Sequence, residues 1–181
     1  MSINQKELAK YKSLNKYARN NSVVIFGSTF ASEMPIGELK QGFGIISEIY
    51  NRSLSGLSVF EACEVASEIV YDLFPKKLVV QLGEVDLENN VSTDDVIKEI
   101  TALVKGVKKN HKSTKVVLVS LNNLTDKLVE KSFNQQLETL ASELKCEYAD
   151  ITSASEDDIS RVNTFRLLKY HMDDYLFCQI M

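Results

Sequence analysis

Short runs of aliphatic residues recur along this chain, and they do not alternate with polar ones. Val23-Val24-Ile25-Phe26 runs into Gly27, Leu78-Val79-Val80 leads to Gly83, and Val116-Val117-Leu118-Val119 leads to Ser120. A strand that is apolar on both faces has to be covered on both faces, which is the situation of a parallel sheet between helical layers. The intervening stretches have helical spacing. In residues 57–74, Val59, Cys63, Ala66, Ile69, Val70 and Leu73 share a face, and Pro75 ends the run. Further helices are predicted over 4–19, 35–43, 94–107 (with Thr93 as N-cap), 126–144 and 155–170, with strands over 45–50 and 147–151. Regular strand–helix alternation predicts a three-layer α/β/α sandwich with a five-stranded parallel sheet in the flavodoxin-like order 2-1-3-4-5.

The 181 residues suit one domain spanning 1–181, large enough to bury its own core without disulfides or metals. A net charge of −4 with lysines dispersed along the chain argues against a nucleic-acid partner. The polar start, residues 1–20, reads as an amphipathic helix rather than a secretory signal, and no apolar run is long enough to span a membrane. Cys63, Cys146 and Cys178 are far apart and form no C-x-x-C pair. They are expected to be reduced and mostly buried, with no metal and no cofactor, in a bacterial-type cytoplasm.

In open α/β sheets, ligands sit beyond the carboxyl ends of the strands. That directs attention to 27–29, 51–58, 83–86, 121–125 and the segment from 152 onward. Gly27-Ser28-Thr29 places two hydroxyls where a central strand breaks, a position from which a hydroxyl can be presented beside backbone N–H groups, though an ordinary turn has the same composition. In Asn51-Arg52-Ser53-Leu54-Ser55-Gly56, Gly56 permits close approach of a ligand, while Ser55 or Ser58 could equally cap the next helix. Gly83-Glu84-Val85-Asp86 brings two carboxylates to the end of the third strand, suited to acid–base work, to orienting an arginine, or simply to a surface loop.

Taken in order, these three segments resemble the SGNH, or GDSL-type, hydrolases, whose blocks read G-D-S, a glycine, G-x-N-D and a C-terminal D-x-x-H. Gly27, Gly56, Gly83 and Asp86 match in kind and place. More closely, the chain resembles a bacterial branch reading G-S-x in the first block and Y-N-R-S-x-x-G in the second, which Tyr50 to Gly56 fits. The resemblance implies that Thr29 stands at the nucleophile position and Ser28 at the neighbouring aspartate. It also implies that Val85 replaces the asparagine that donates to the oxyanion. No D-x-x-H occurs near the end; His171 is the candidate base there, with Leu168 three residues before it.

Two functions follow. In one, the protein keeps the crevice but is catalytically impaired, and Ser28, Asn51, Arg52 and Asp86 bind a small polar or acylated ligand. In the other, it is an active esterase or deacetylase acting on a small ester or glycan. Ser28 or Thr29 would then attack, amides near Ser28 and Gly56 would hold the oxyanion, and His171, Glu84 or Asp86 would serve as base. Arg52 is expected to pair with Asp86 or Glu84 inside the crevice. The tail, residues 169–181, carries Tyr170, Met172, Tyr175, Leu176, Phe177 and Ile180, and is expected to pack on the domain or on a second copy, with His171 away from Ser28.

Overall fold

The structure, a computed structural model, describes residues 5–154 and 160–173. A helix, α1 (Gln5–Asn15), leads into the first strand, β1 (Val23–Gly27). Two short helices, α2 (Thr29–Ser32) and α3 (Ile36–Gly42), precede β2 (Ile49–Asn51). Then come α4 (Val59–Ile69), β3 (Lys77–Gln81), α5 (Glu84–Glu88), α6 (Thr93–Asn110) and β4 (Lys115–Val119). The chain continues through α7 (Lys127–Glu143), β5 (Glu147–Ala149) and α8 (Ser160–Met172). All four strand pairings are parallel and the order is β2-β1-β3-β4-β5, as the alternation predicts.

Strand periodicity divides the core in two. Val24, Phe26, Leu78, Val80, Val116 and Leu118 face a layer containing α1, α4, α6 and α7. Val23, Ile25, Val79, Val117 and Val119 face α2, α3 and α8 on the other side. Both faces are dry, which is why these strands carry no polar alternation. Among the described residues, no helix is long and apolar enough to cross a membrane.

Several boundaries differ from the sequence expectation, for local reasons. The second strand is only three residues long, because the Ile45 amide closes α3 by donating to the Lys40 carbonyl at 3.0 Å instead of joining the sheet. The helix over 57–74 ends at Ile69; a 3₁₀ turn follows, and Phe74 takes a left-handed φ of 42° just before Pro75. Ser92, not Thr93, caps α6 by accepting from the Asp95 amide. Residues 29–32 and 84–88, read from sequence as loops, are short helices. Cys63 and Cys146 are free and partly exposed; Cys178 lies outside the described residues.

The closest approach between the two central strands is at Gly27. A Cβ there would come within 2.5 Å of the Gln81 carbonyl oxygen and 2.7 Å of the Ala31 Cβ. The first of these contacts is with backbone and cannot rotate away. Gly27→Ala is therefore expected to destabilise the protein by about 1–3 kcal/mol in urea unfolding, the usual penalty for overpacking. Gly37, whose Cβ would meet nothing within 4 Å, is the control. Gly37→Ala should be neutral or mildly stabilising, because alanine favours helix.

Candidate functional site

Ser28 and Thr29 follow the carboxyl end of β1, and Gly83 and Glu84 follow that of β3; of these, Thr29 is partly exposed and the other three are buried. Gly83 has a φ of 110°, and a Cβ there would press on Phe133 and Val96, so glycine is required both for conformation and for space. This turn aims Glu84 back across the sheet. The carboxylate is 6% exposed. One oxygen accepts the Phe30 amide at 2.8 Å and the other accepts Nδ2 of Asn123 at 3.1 Å. Burial pushes the Glu84 pKa above the ordinary glutamate range, outweighing these donors, which favour the ionised form.

The two hydroxyls are not equivalent. Ser28 is fully buried, and its Oγ has no hydrogen-bond partner. Thr29 is half-buried, and its Oγ1 accepts the Gly56 amide at 3.0 Å. Asp86 accepts Ser58 Oγ at 2.5 Å and the Val59 amide at 3.0 Å, so it secures the first turn of α4, which Ser58 also caps. Asn51 donates to the Ala31 carbonyl at 2.7 Å and accepts the Ser53 amide at 3.0 Å, fastening the loop that carries Gly56 to the end of α2.

Arg52 departs from expectation. It pairs with neither Asp86 nor Glu84, whose oxygens are engaged as described. Its Nε donates to Asn15 Oδ1 at 2.8 Å and its Nη1 to the Asn51 carbonyl at 2.9 Å. The guanidinium lies 5.1 Å from the centre of the Tyr11 ring and 5.3 Å from that of Tyr50. The chain turns Arg52 toward α1 at the sheet edge, with β1 between it and the third-strand loop. Arg52 therefore fastens α1 to the rest of the molecule, and its burial lowers its pKa.

His171 is not brought to the crevice. It lies near the end of α8, where Nδ1 is 3.2 Å from Glu147 Oε2 and its carbonyl accepts Lys77 Nζ at 2.8 Å. Lys77 and Glu147 begin their strands, whereas Gly27 and Gln81 end theirs, so His171 occupies the opposite edge of the sheet. Residues 169–172 of the expected tail belong to α8, and residues 174–181 lie outside the described residues.

The residue that does reach the crevice from α8 is Arg161. It lines a cavity of about 310 Å³ together with Phe30, Asn122, Asn123 and Ser160. Its guanidinium sits 5.2 Å from the Phe30 ring centre and is ion-paired with Glu33. The sequence signal for it is Asp158 to Arg161, which has the spacing of D-x-x-H with arginine in the histidine's place; Asp158 itself lies outside the described residues. Asn122 and Asn123 fall within segment 121–125, which the sheet topology marks. Among the described residues, no cluster of His, Cys, Asp and Glu could hold a metal ion.

No protein-family model and no curated protein matches the chain. Solved structures do. A Streptococcus pneumonia protein assigned as a platelet activating factor superposes with a TM-score of 0.81 at 18% identity, over 93% of this chain and 92% of that one. A Bacteroides fragilis protein assigned as an acylhydrolase gives 0.77 at 17% identity, over 93% and 97%. A protein from Parabacteroides merdae assigned as a GDSL-like lipase gives 0.70 at 15% identity, over 87% and 97%. The chain thus has an SGNH hydrolase-like fold.

Two outcomes are expected from this geometry. Arg52→Met keeps the aliphatic stem but removes two hydrogen bonds from a charged group and the contacts with two aromatic faces. It should lower the unfolding free energy in urea by about 2–3 kcal/mol. Glu84 titrates higher folded than unfolded, so the folded state binds the extra proton. Its contribution to stability is complete below the unfolded pKa and is lost as pH rises through the folded one. Glu84→Gln should remove that component, so the stability of the wild type relative to the variant should fall between acid and neutral pH. A pH-independent difference in melting temperature would contradict the assignment.

Proposed function

We propose that this protein is an SGNH-like relative that binds a small polar or acylated ligand in the crevice and has lost ester hydrolysis. The observation that carries this reading is the state of two of the donor positions expected to hold an oxyanion. The Gly56 amide is taken by Thr29 Oγ1, and the side-chain donor position is Val85, which has no polar side chain. Loss of a single such donor slows acyl transfer by about 10²–10³.

Among the described residues, Thr29 Oγ1 has no hydrogen bond to an imidazole or a carboxylate. Counting from Arg161 to His171 along α8, ten residues at 1.5 Å each separate the histidine from the crevice by about 15 Å. Arginine stays protonated and cannot take the hydroxyl's proton. Ser28, sealed from solvent, is a weaker candidate nucleophile than Thr29. What remains is a crevice with fixed hydrogen-bonding groups, suited to holding a ligand without transforming it.

The test is hydrolysis of p-nitrophenyl acetate across pH 6–9 by the wild type and by Thr29→Val. Both are expected at the buffer background. Turnover well above it that Thr29→Val abolishes would overturn this reading in favour of an active esterase, and the same loss in Ser28→Ala alone would move the nucleophile to Ser28.

A further inference from the structure

The end of the sheet away from the crevice carries a surface that neither packing nor the crevice explains. Four loops lead into the amino ends of β2, β1, β3 and β4, in that spatial order, and hydrogen bonds make them neighbours. Lys76 Nζ donates to Ser47 Oγ at 3.1 Å, the Asn21 amide to the Phe74 carbonyl at 3.1 Å, and Thr114 Oγ1 to the Pro75 carbonyl at 2.6 Å. Three of these loops hold a large apolar side chain in water: Ile46 is 76% exposed, Tyr17 87% and Phe74 59%. Phe74 does so with a left-handed φ of 42°, uncommon for a bulky residue, and its ring meets that of His111 edge to face with centres 5.2 Å apart.

The fourth loop supplies charge. Between Glu99 and Asp126 the chain has five lysines and no Asp or Glu, within a protein of net charge −4. Lys105, Lys109, Lys112 and Lys115 are exposed on the last turns of α6 and the loop after it. Lys145 is beside them, since Lys108 Nζ donates to its carbonyl at 3.1 Å. Among the described residues, Lys105, Lys109 and Lys112 have no ion-pair partner. Glu48 and Glu147, acids at the same edge, are paired with Lys40 and His171 at 3.0 and 3.2 Å, so the lysines keep a positive excess. Lys105 and Lys109 stand one turn apart, a like-charge spacing that weakens a helix. The helix dipole favours cations in the last turn only, which Lys105 precedes.

We propose that this amino edge docks on an anionic phospholipid surface, with Lys109, Lys112 and Lys115 on the headgroups and Tyr17, Ile46 and Phe74 entering the layer beneath them. Lysines near such a surface act as point charges on a diffuse array of anions, and apolar tips gain by leaving water. A protein partner fits less well, because protein interfaces are depleted in lysine and enriched in arginine, and the cations of 105–115 are lysines. A nucleic acid, held through its phosphates, has no use for apolar tips on three separate loops, Ile46 above all. Charge also sets the orientation. Five-residue strands at about 3.3 Å per residue put the carboxyl edge, with exposed Glu33, Glu88 and Asp126, about 16 Å from the amino edge. That is about twice the screening length of about 8 Å at physiological salt, so the lysines feel the surface and those carboxylates do not. The crevice then faces the aqueous side, and its ligand arrives from water and not from the bilayer.

The test is co-sedimentation of the full chain with vesicles of phosphatidylcholine alone or with about one-third phosphatidylserine, at about 0.1 M and about 1 M NaCl. Binding is expected only with phosphatidylserine present and only at the lower salt. The triple variant Lys109→Gln, Lys112→Gln, Lys115→Gln should keep the wild-type melting profile and weaken binding by about a hundredfold, about fivefold for each lysine. Phe74→Asn, which suits the left-handed backbone, should weaken it by about tenfold. The chain has no tryptophan, so Phe74→Trp and Leu128→Trp each place a lone indole at an exposed position, one at either edge. Emission from Phe74→Trp should shift to the blue on vesicles and be quenched by brominated lipid, and that from Leu128→Trp should not. Absence of binding at the lower salt, binding insensitive to salt or to anionic lipid, or binding undiminished in the triple variant overturns the proposal. Quenching of Leu128→Trp in place of Phe74→Trp does so too. Tighter binding to a DNA duplex than to the anionic vesicles in the same buffer reassigns the lysines to nucleic acid and likewise overturns it.

Discussion

A carboxylate withdrawn from water must be met by donors, and the way Glu84 is met organises the whole carboxyl edge of this sheet. Its donors are not surface side chains chosen for the purpose. They are the backbone amide of Phe30, in α2, and the side-chain amide of Asn123 from the loop after β4. One side chain thus joins the ends of β1, β3 and β4. The left-handed Gly83 makes this reach feasible, and the tight packing of that glycine on Phe133 and Val96 fixes its direction.

A second polar chain holds the other side. Asp86 secures the start of α4, Asn51 fastens the Gly56 loop to α2, and Arg52 carries the linkage to α1 through Asn15 and the Tyr11 and Tyr50 rings. A guanidinium among aromatic faces and amide oxygens is less demanding of a carboxylate partner than an ammonium would be, because its charge is delocalised and weakly hydrated. That explains how Arg52 can be 5% exposed with amide oxygens and ring faces as its partners. The polar residues of the Y-N-R-S string thus brace the loop against α1 and α2.

The layer architecture was legible because uninterrupted runs such as Val23 to Phe26 admit few other environments, and strand order followed from the places where glycine-ended strands meet crevice loops. Strand β2 was legible in position but not in length, since Ile45 is as apolar as Ile49 and only the hydrogen bond from its amide to Lys40 decides that it belongs to a turn. At the carboxyl edge of the sheet, the sequence marked the loops but not the partners of their side chains. Arg52, Asp86 and Glu84 are near one another in the order of the fold, and opposite charges invite pairing. Which of them face each other depends on the side of the edge strand to which the chain turns, and a motif does not record that. Arg161 is not legible by residue type, since arginine is no base, although Asp158 precedes it at the D-x-x spacing.

Charge placement argues the same way as hydrogen bonding. A hydrolytic crevice needs a group that gains and loses a proton near neutral pH, together with donors left free for the charge that appears in the transition state. This crevice carries a guanidinium that stays protonated, a Glu33 that balances it, and a Glu84 already satisfied by backbone. The imidazole that could cycle a proton is at the far edge, beside Glu147, whose pKa its hydrogen bond lowers. An arginine held against the Phe30 ring and ion-paired with Glu33 is fixed in direction as well as in charge.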